Sequence, residues 1–506
     1  TSSQGLGRRS SASRVFARAR SQGSLHSSAR DDERSAGNPT MSSPLVMCCS
    51  LCVVCAGALR PPASLLAADV RDTAPDEAAW GEKIEALAAL PRGFRAGVAR
   101  LEFSPRELPE TSAKMNLGAI TLDAPTDLFA GVYTKNRLCG APVSLGRKLL
   151  ARERPRVQAI LANNKISNVR PGPGLGEACA ETVGAAAKRA LDLADDASVV
   201  PASTGVIGWA LPVPEMVAAA SLLKVEPGSA RGVAEAMMTT DRYAKAARAE
   251  LPNGASLVGL VKGAGMIEPN MGTMLCFVLT DANLPRAALQ SALDRVVPGT
   301  FGSVGVDGDE STSDMCVLAS SGAVDGVSSD AFEAALGDVL AQLAHHVVRN
   351  GEGTNHVLRV AVRGDESDAA ARSLGRALVN GPLLKCAVAG DDPNVGRIVG
   401  KVGQILGARG KADLLDESSP CVVRLGGETI FENGFFRLDS EKEARLSSHM
   451  AAARLGADDP ASPKCPKHGR CVEIEVDLGG DPDVYAVVLG SDLTHEYVTE
   501  NADYRS

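Results

Sequence analysis

Two hydrophobic periods exchange along most of this chain, and that exchange narrows its fold more than any other feature. Short Val-rich runs close in Ser, Thr or Gly turns, as in DDASVVPASTGVIGWALPVP (195–214). Ala-rich runs with apolar residues at i, i+3 and i+4 follow them, as in GLGEACAETVGAAAKRALDLA (174–194) and SDAFEAALGDVLAQLAHHVVRN (329–350). The first pattern predicts strands and the second helices. HVLRVAVRG (356–364) and RCVEIEVDLG (470–479) alternate residue by residue, which predicts strands with one partly polar face. DVYAVVLGS (483–491) reads as another alternating strand. The fold class expected is therefore α/β, helices layered on mixed sheets.

At 506 residues, the chain exceeds one comfortable core, so two subdomains plus non-globular sequence are expected. Residues 1–75 stand apart, with nine basic residues against five acids, a balance of +4. The whole chain carries −8, so the remainder nets −12. Thr1 to Thr40 is Ser- and Arg-rich without apolar periodicity, and LVMCCSLCVVCAGAL (45–59) is an apolar run of signal-peptide length, too short to span a bilayer. Residues 1–75 read as a targeting presequence cut off from the body by Pro61-Pro62, with no stable membrane insertion. An organelle is the expected destination, a plastid first and the mitochondrial matrix as the alternative. Lys and Arg total 53 against 61 acids and form no basic stripe with aromatic partners, which argues against nucleic acid as a ligand.

Of the twelve cysteines, four (Cys48, Cys49, Cys52, Cys55) fall in the apolar run. The other eight are scattered singly and read as free thiols of a reducing compartment. CPKHGRC (465–471) has the look of half a metal site, but a second ligand pair is missing, so it reads as a surface insertion loop. No metal is expected.

EPNMGTMLCFVLTDANL (268–284) places Gly272-Thr273 directly before a run that reads as a buried strand. A threonine hydroxyl is a weak nucleophile unless a base lies beside it, and an α-amino group, with a pKa of about 7.7 to 8.0, is such a base. That role requires Thr273 to be an N-terminus. Attack of the Thr273 hydroxyl on the Gly272 carbonyl would create one, and a glycine leaves that carbonyl accessible. Alone, the pair is also compatible with a plain turn entering a strand.

The ordered set STGVIG (203–208), MMTTD (237–241), VKGAGMI (261–267), MGTMLCFVLTDA (271–282), VDGDESTSD (306–314), GDDPNVGRI (390–398) and ENADY (500–504) changes that balance. Together these segments resemble the ornithine acetyltransferase (glutamate N-acetyltransferase) family, self-cleaving Thr-nucleophile enzymes of arginine biosynthesis. The resemblance runs from about Leu90 to Ser506. It implies a DmpA/ornithine-acetyltransferase-like fold, an α chain of residues 76–272, and a β chain of 273–506 that begins at the nucleophile Thr273. It further implies an oxyanion hole at Thr204 and Gly205, and substrate contacts from Thr239, Lys262, Glu352, Asn501 and Ser506. Thr204 reads independently as a helix N-cap and VDGDESTSD as a turn and helix cap.

The chain departs from the family where Gly272 replaces an alanine, NNKISN (163–168) keeps part of an Asn-rich stretch, and GTNH (353–356) and NVGR (394–397) replace Gly-Ala-Thr-Lys and Asn-Trp-Gly-Arg. The expected activity is acetyl transfer from N2-acetylornithine to glutamate through acetyl-Thr273. No cofactor is expected, and acetyl-CoA stands as a candidate second donor. The implied assembly is an associated α and β chain, paired as a dimer of heterodimers. An N-terminal-nucleophile amidase or aminopeptidase, passing the acyl group to water, is the alternative, and an uncleaved binding relative a third reading.

Overall fold

Three sheets organise the computed structural model, which describes residues 66, 69–268, 274–456 and 464–502. A four-stranded sheet runs in the order Phe94–Phe103, Ala113–Thr126, Val157–Asn163, Ser198–Ser203, and a five-stranded sheet in the order Phe129–Tyr133, Met315–Val324, Leu275–Ala282, Ser256–Lys262, Lys245–Glu250. These two pack face to face. Ile120, Ile160 and Val200 of one meet Val258, Phe277 and Val317 of the other in a single apolar cluster. Such a sheet-on-sheet core demands strands apolar on both faces when helices cover the outer sides. Helices Leu175–Ala190 and Val213–Ala220 cover the outer face of the first sheet, and Arg286–Val296 and Ser329–Arg349 that of the second. The Leu275–Ala282 strand is accordingly buried at every position.

A seven-stranded mixed sheet forms the rest, with Val357–Arg363 at its heart, parallel to Val472–Asp477 and antiparallel to Tyr485–Ser491. Helices Asp368–Val379, Val395–Ala408 and Ser440–Ala453 pack on one face. The other face meets Ser329–Arg349, which lies between the five-stranded and seven-stranded sheets. This explains why that helix, read from its period as one-sided, is buried without interruption from Val339 to Arg349. Tyr485–Ser491 likewise departs from its alternating appearance: six of its seven residues are buried, because strands flank it and its two faces are both covered.

The body begins before residue 76. Ala74 N–H donates to Pro466 O at 2.9 Å, Arg71 N–H to Gln342 Oε1 at 2.8 Å, and Val70 and Ala74 are buried, so the end of the stretch read as presequence is packed chain. The described residues all lie within one unit, Leu59–Ser506. None of their helices is long and apolar enough to cross a membrane.

The eight cysteines outside the apolar run are free. CPKHGRC is not simply superficial. Cys465 and Cys471 are buried, and Arg349 reaches Cys471 Sγ at 3.3 Å beneath the loop.

Candidate active site

The parallel strands Val157–Asn163 and Ser198–Ser203 end side by side, and the chain that leaves them forms the first wall of a cavity of about 230 Å³. Thr204 N–H donates to Asn163 O at 3.1 Å, and Ser203 Oγ donates to Asn163 Oδ1 at 2.7 Å, which fixes the turn against its neighbour. Gly205 has φ +122°, and a Cβ there would lie 2.2 Å from the Lys165 carbonyl carbon. Only glycine permits both the dihedral and the approach. Val206 N–H then donates to Lys165 O at 2.9 Å and Ser167 N–H to Val206 O at 3.0 Å, so the backbone around Gly205 is held from both sides. No helix begins here. Thr204 caps nothing, and its buried hydroxyl faces the cavity.

Lys262 ends the Ser256–Lys262 strand and is buried. Its ammonium donates to Thr204 Oγ1 at 3.3 Å. The antiparallel register pairs Lys262 with Leu275, so the entry to the Leu275–Ala282 strand lies beside this lysine. Beneath it, Asp241 accepts from the Lys245 ammonium, from Gly263 N–H at 2.7 Å and from Thr239 N–H at 3.1 Å. Burial alone would raise the Asp241 carboxyl, but the Lys245 and Lys262 charges outweigh it and hold it well below the ordinary carboxylate value. Burial lowers Lys245, opposed by Asp241. Asp241 thus anchors both the Thr239 turn and the residue after Lys262.

Glu352 forms the opposite wall. Its Oε1 accepts from Thr240 Oγ1 at 2.6 Å and its Oε2 from Asn501 Nδ2 at 2.7 Å. A Cβ on Gly265 would come within 2.2 Å of Oε2, so the carboxylate sits directly over that glycine. The loop bearing Glu352 is pinned to the C-terminal segment: Thr494 Oγ1 donates to Gly353 O at 2.7 Å, and Asn355 N–H to Asp492 Oδ1 at 3.0 Å. His356, fully buried, has Nδ1 3.0 Å from Asp492 Oδ2. Helix His495–Ala502 is tied down further by an Arg242–Glu500 ion pair.

Thr204, Gly205, Thr239, Lys262, Glu352 and Asn501 therefore all line one cavity. Gly272, Thr273 and Ser506 lie outside the described residues. Ser311, Thr312 and Ser313 line the cavity too, so VDGDESTSD is a wall of the site and leads into a strand, capping no helix. Asp241 was equally unmarked in the sequence. The Ser-Thr-Ser run looked like a polar turn, and only its place before a buried strand hinted otherwise. Among the described residues, no group of three or more His, Cys, Asp or Glu side chains is arranged to hold a metal.

A cation and two hydroxyls on one side, with a carboxylate and an amide on the other, suit a small ligand carrying both charges. The chain is similar to several known proteins. An arginine biosynthesis bifunctional protein ArgJ from Bifidobacterium longum is 34% identical over 423 residues, 82% of this chain and 97% of that protein. A glutamate N-acetyltransferase from Methanosarcina acetivorans is 35% identical over 403 residues, 77% of this chain and 94% of that one. A crystal structure of the arginine biosynthesis bifunctional protein argJ from Bacillus halodurans is 27% identical with a TM-score of 0.37, covering 45% of this chain and 97% of that chain. Since a sequence model of the ArgJ family also matches residues 106–506, this chain belongs to the ArgJ family.

Proposed function

We propose that this acyltransferase moves acetyl from N2-acetylornithine to glutamate through an ester on Thr273, after cutting itself between Gly272 and Thr273. The observation that supports it best is the pairing of Lys262 with Thr204 across from Glu352. The Thr204 hydroxyl and the Gly205 N–H provide two donors for a developing oxyanion, and such donors contribute a few kcal/mol each, about 2.7 to 4, to the transition state. Lys262 sits within reach of the same oxygen. Glu352 matches a substrate ammonium and the Lys262 side a carboxylate. The free α-amino group of the cut chain would take the Thr273 proton, the acetyl group would pass to Thr273 with release of ornithine, and glutamate would take it in a second half-reaction. Acetyl-CoA, as a second donor, would enter at the same first step.

The test is product analysis with purified protein. N-acetylglutamate should form from N-acetylornithine and glutamate with ping-pong kinetics, and Thr273→Ala should yield one uncut chain and no product. Release of free acetate at a rate indifferent to glutamate would instead identify an amidase. We further infer that the two fragments stay associated, as a dimer of heterodimers, and that the sequence ahead of the packed body, within residues 1–75, directs the protein to a plastid, with the mitochondrial matrix as the alternative. Sedimentation and a fluorescent reporter fusion test these two points.

A further inference from the structure

Met266 holds a backbone conformation that its own side chain makes unfavourable. Its φ is +56°, in the left-handed region that a bulky residue enters rarely and glycine enters freely. The neighbouring loop enforces it. Asp307 Oδ2 accepts the Met266 N–H at 2.6 Å and Oδ1 the Ile267 N–H at 2.9 Å, while Val306 N–H donates to Ile267 O at 2.8 Å. A glycine would sit in this turn without strain, so the methionine is retained for what its side chain touches. Met266 lines the active-site cavity and is 38% exposed. With Val206 and Ile207 it supplies the aliphatic side chains, among the described residues, of a lining otherwise made of glycines and of polar or charged groups. Gly265, the residue before it, lies beneath the Glu352 carboxylate, and Val206 and Ile207 directly follow the Thr204-Gly205 turn. Aliphatic residues therefore stand next in the chain to each polar end of the site.

We propose that Met266 determines substrate specificity by packing against the methylene stem that separates the α-carbon of the acetyl donor from its terminal ammonium. This rests on the N2-acetylornithine reading above. In that donor the α-nitrogen is acylated, so the free ammonium is the one at the end of three methylenes. With the carboxylate on the Lys262 side and the ammonium at Glu352, the stem between them carries no polar atom, and an apolar neighbour removes it from water. Met266 is one residue from the Gly265–Glu352 contact, which places it at the ammonium end of the stem, where chain length is sensed. An unbranched thioether side chain suits that contact, because it adapts its shape to a flexible aliphatic chain.

Donor discrimination reads this role. In the cleaved protein, kcat/KM is measured with N2-acetylornithine and with N2-acetyllysine, which is one methylene longer, with glutamate as acceptor. The unaltered protein should favour N2-acetylornithine by about 10-fold or more, the usual effect of one methylene in an apolar site. Met266→Ala and Met266→Gly should both lower kcat/KM for N2-acetylornithine by about tenfold, chiefly through KM, and shrink the preference to about threefold or less. Alanine keeps the strained φ and glycine relieves it, so equal behaviour is the signature of the missing side chain. Met266→Gln keeps the length and the backbone but sets an amide against the stem. It should lower kcat/KM for N2-acetylornithine by about tenfold at an unchanged melting temperature, and it carries the test if the truncated variants fail to fold. An unaltered protein indifferent to the extra methylene would overturn the proposal. So would folded variants with an unchanged preference, or an impaired Ala variant beside a normal Gly variant, the mark of a role confined to the backbone. If the unaltered protein transferred no acetyl group from N2-acetylornithine, the donor reading would fail and this inference with it, a result distinct from the others.

Discussion

The side-chain amide of Asn501 donates to Glu352 Oε2 at 2.7 Å, joining residues 149 positions apart. A terminal helix usually frays, but this one completes the wall that holds a carboxylate in the cavity. Asn501→Ala should raise the KM for N-acetylornithine by about 10- to 100-fold, the value of a hydrogen bond to a charged group at about 1.5 to 3 kcal/mol. Deleting residues 501–506 should do at least as much while leaving self-cleavage intact. Steady-state kinetics on properly cut variants decide it, and an unchanged KM would remove the tail from the site.

Thr204→Ala removes a buried hydroxyl 3.3 Å from the Lys262 ammonium. Transfer should fall about 10- to 1000-fold in kcat with little change in KM, since an oxyanion donor acts on the transition state. Maturation should slow as well. A variant with normal turnover would exclude the hydroxyl from the chemistry.

Gly205→Ala should be worse than a lost contact. The new Cβ would lie 2.2 Å from backbone at φ +122°, so the turn must move. Such strain costs about 1 to 3 kcal/mol, and the displaced N–H no longer points where Thr204 does. A lowered melting temperature together with loss of activity is expected; retention of both would mean that the turn adapts.

His346 gives the fold an acid-sensitive term. Its ring is fully buried between Trp80 and Tyr243, at centroid distances of 5.3 and 6.2 Å, and burial, reinforced by the Arg349 and Lys245 charges, pushes it down to about 3. A group depressed on folding contributes stability above its unfolded value, about 6.5 for histidine. That contribution erodes as pH falls toward the folded value, at about 1.4 kcal/mol per unit. His346→Phe, which keeps the aromatic packing, should flatten the unfolding free energy between about pH 6 and 3. Chemical denaturation across that range measures the slope, and an identical slope in both proteins would mean that the term belongs elsewhere.

The layered α/β class was legible because strand and helix periods differ, and Val357–Arg363 and Leu175–Ala190 appear where their patterns place them. The enclosure of Ser329–Arg349 was not legible, since a helix between two sheets differs from a surface helix only in what meets its second face. In the site, Lys262 and Asn501 lie inside the ordered motifs, and Glu352 was named only through the resemblance; the convergence of the three on one cavity is a property of register and topology. Asp241 closes the MMTTD segment and Asp314 the VDGDESTSD segment, and neither was singled out in the sequence. Both are buried, Asp241 against the Gly263 N–H and Asp314 against the Met274 N–H, and one sequence does not display burial.

The Ser256–Lys262 and Leu275–Ala282 strands are antiparallel neighbours in the middle of one sheet, joined in the intact chain by a short excursion. While it is continuous, their pairing is an intramolecular closure of low entropic cost. The proposed cut at residue 272 would turn the same ladder into an association between two molecules. The nicked protein would then hold a shape that it reaches easily only once, before the cut. Its durability would be set by how slowly the fragments part, and recovery after unfolding would depend on concentration and become poor when dilute.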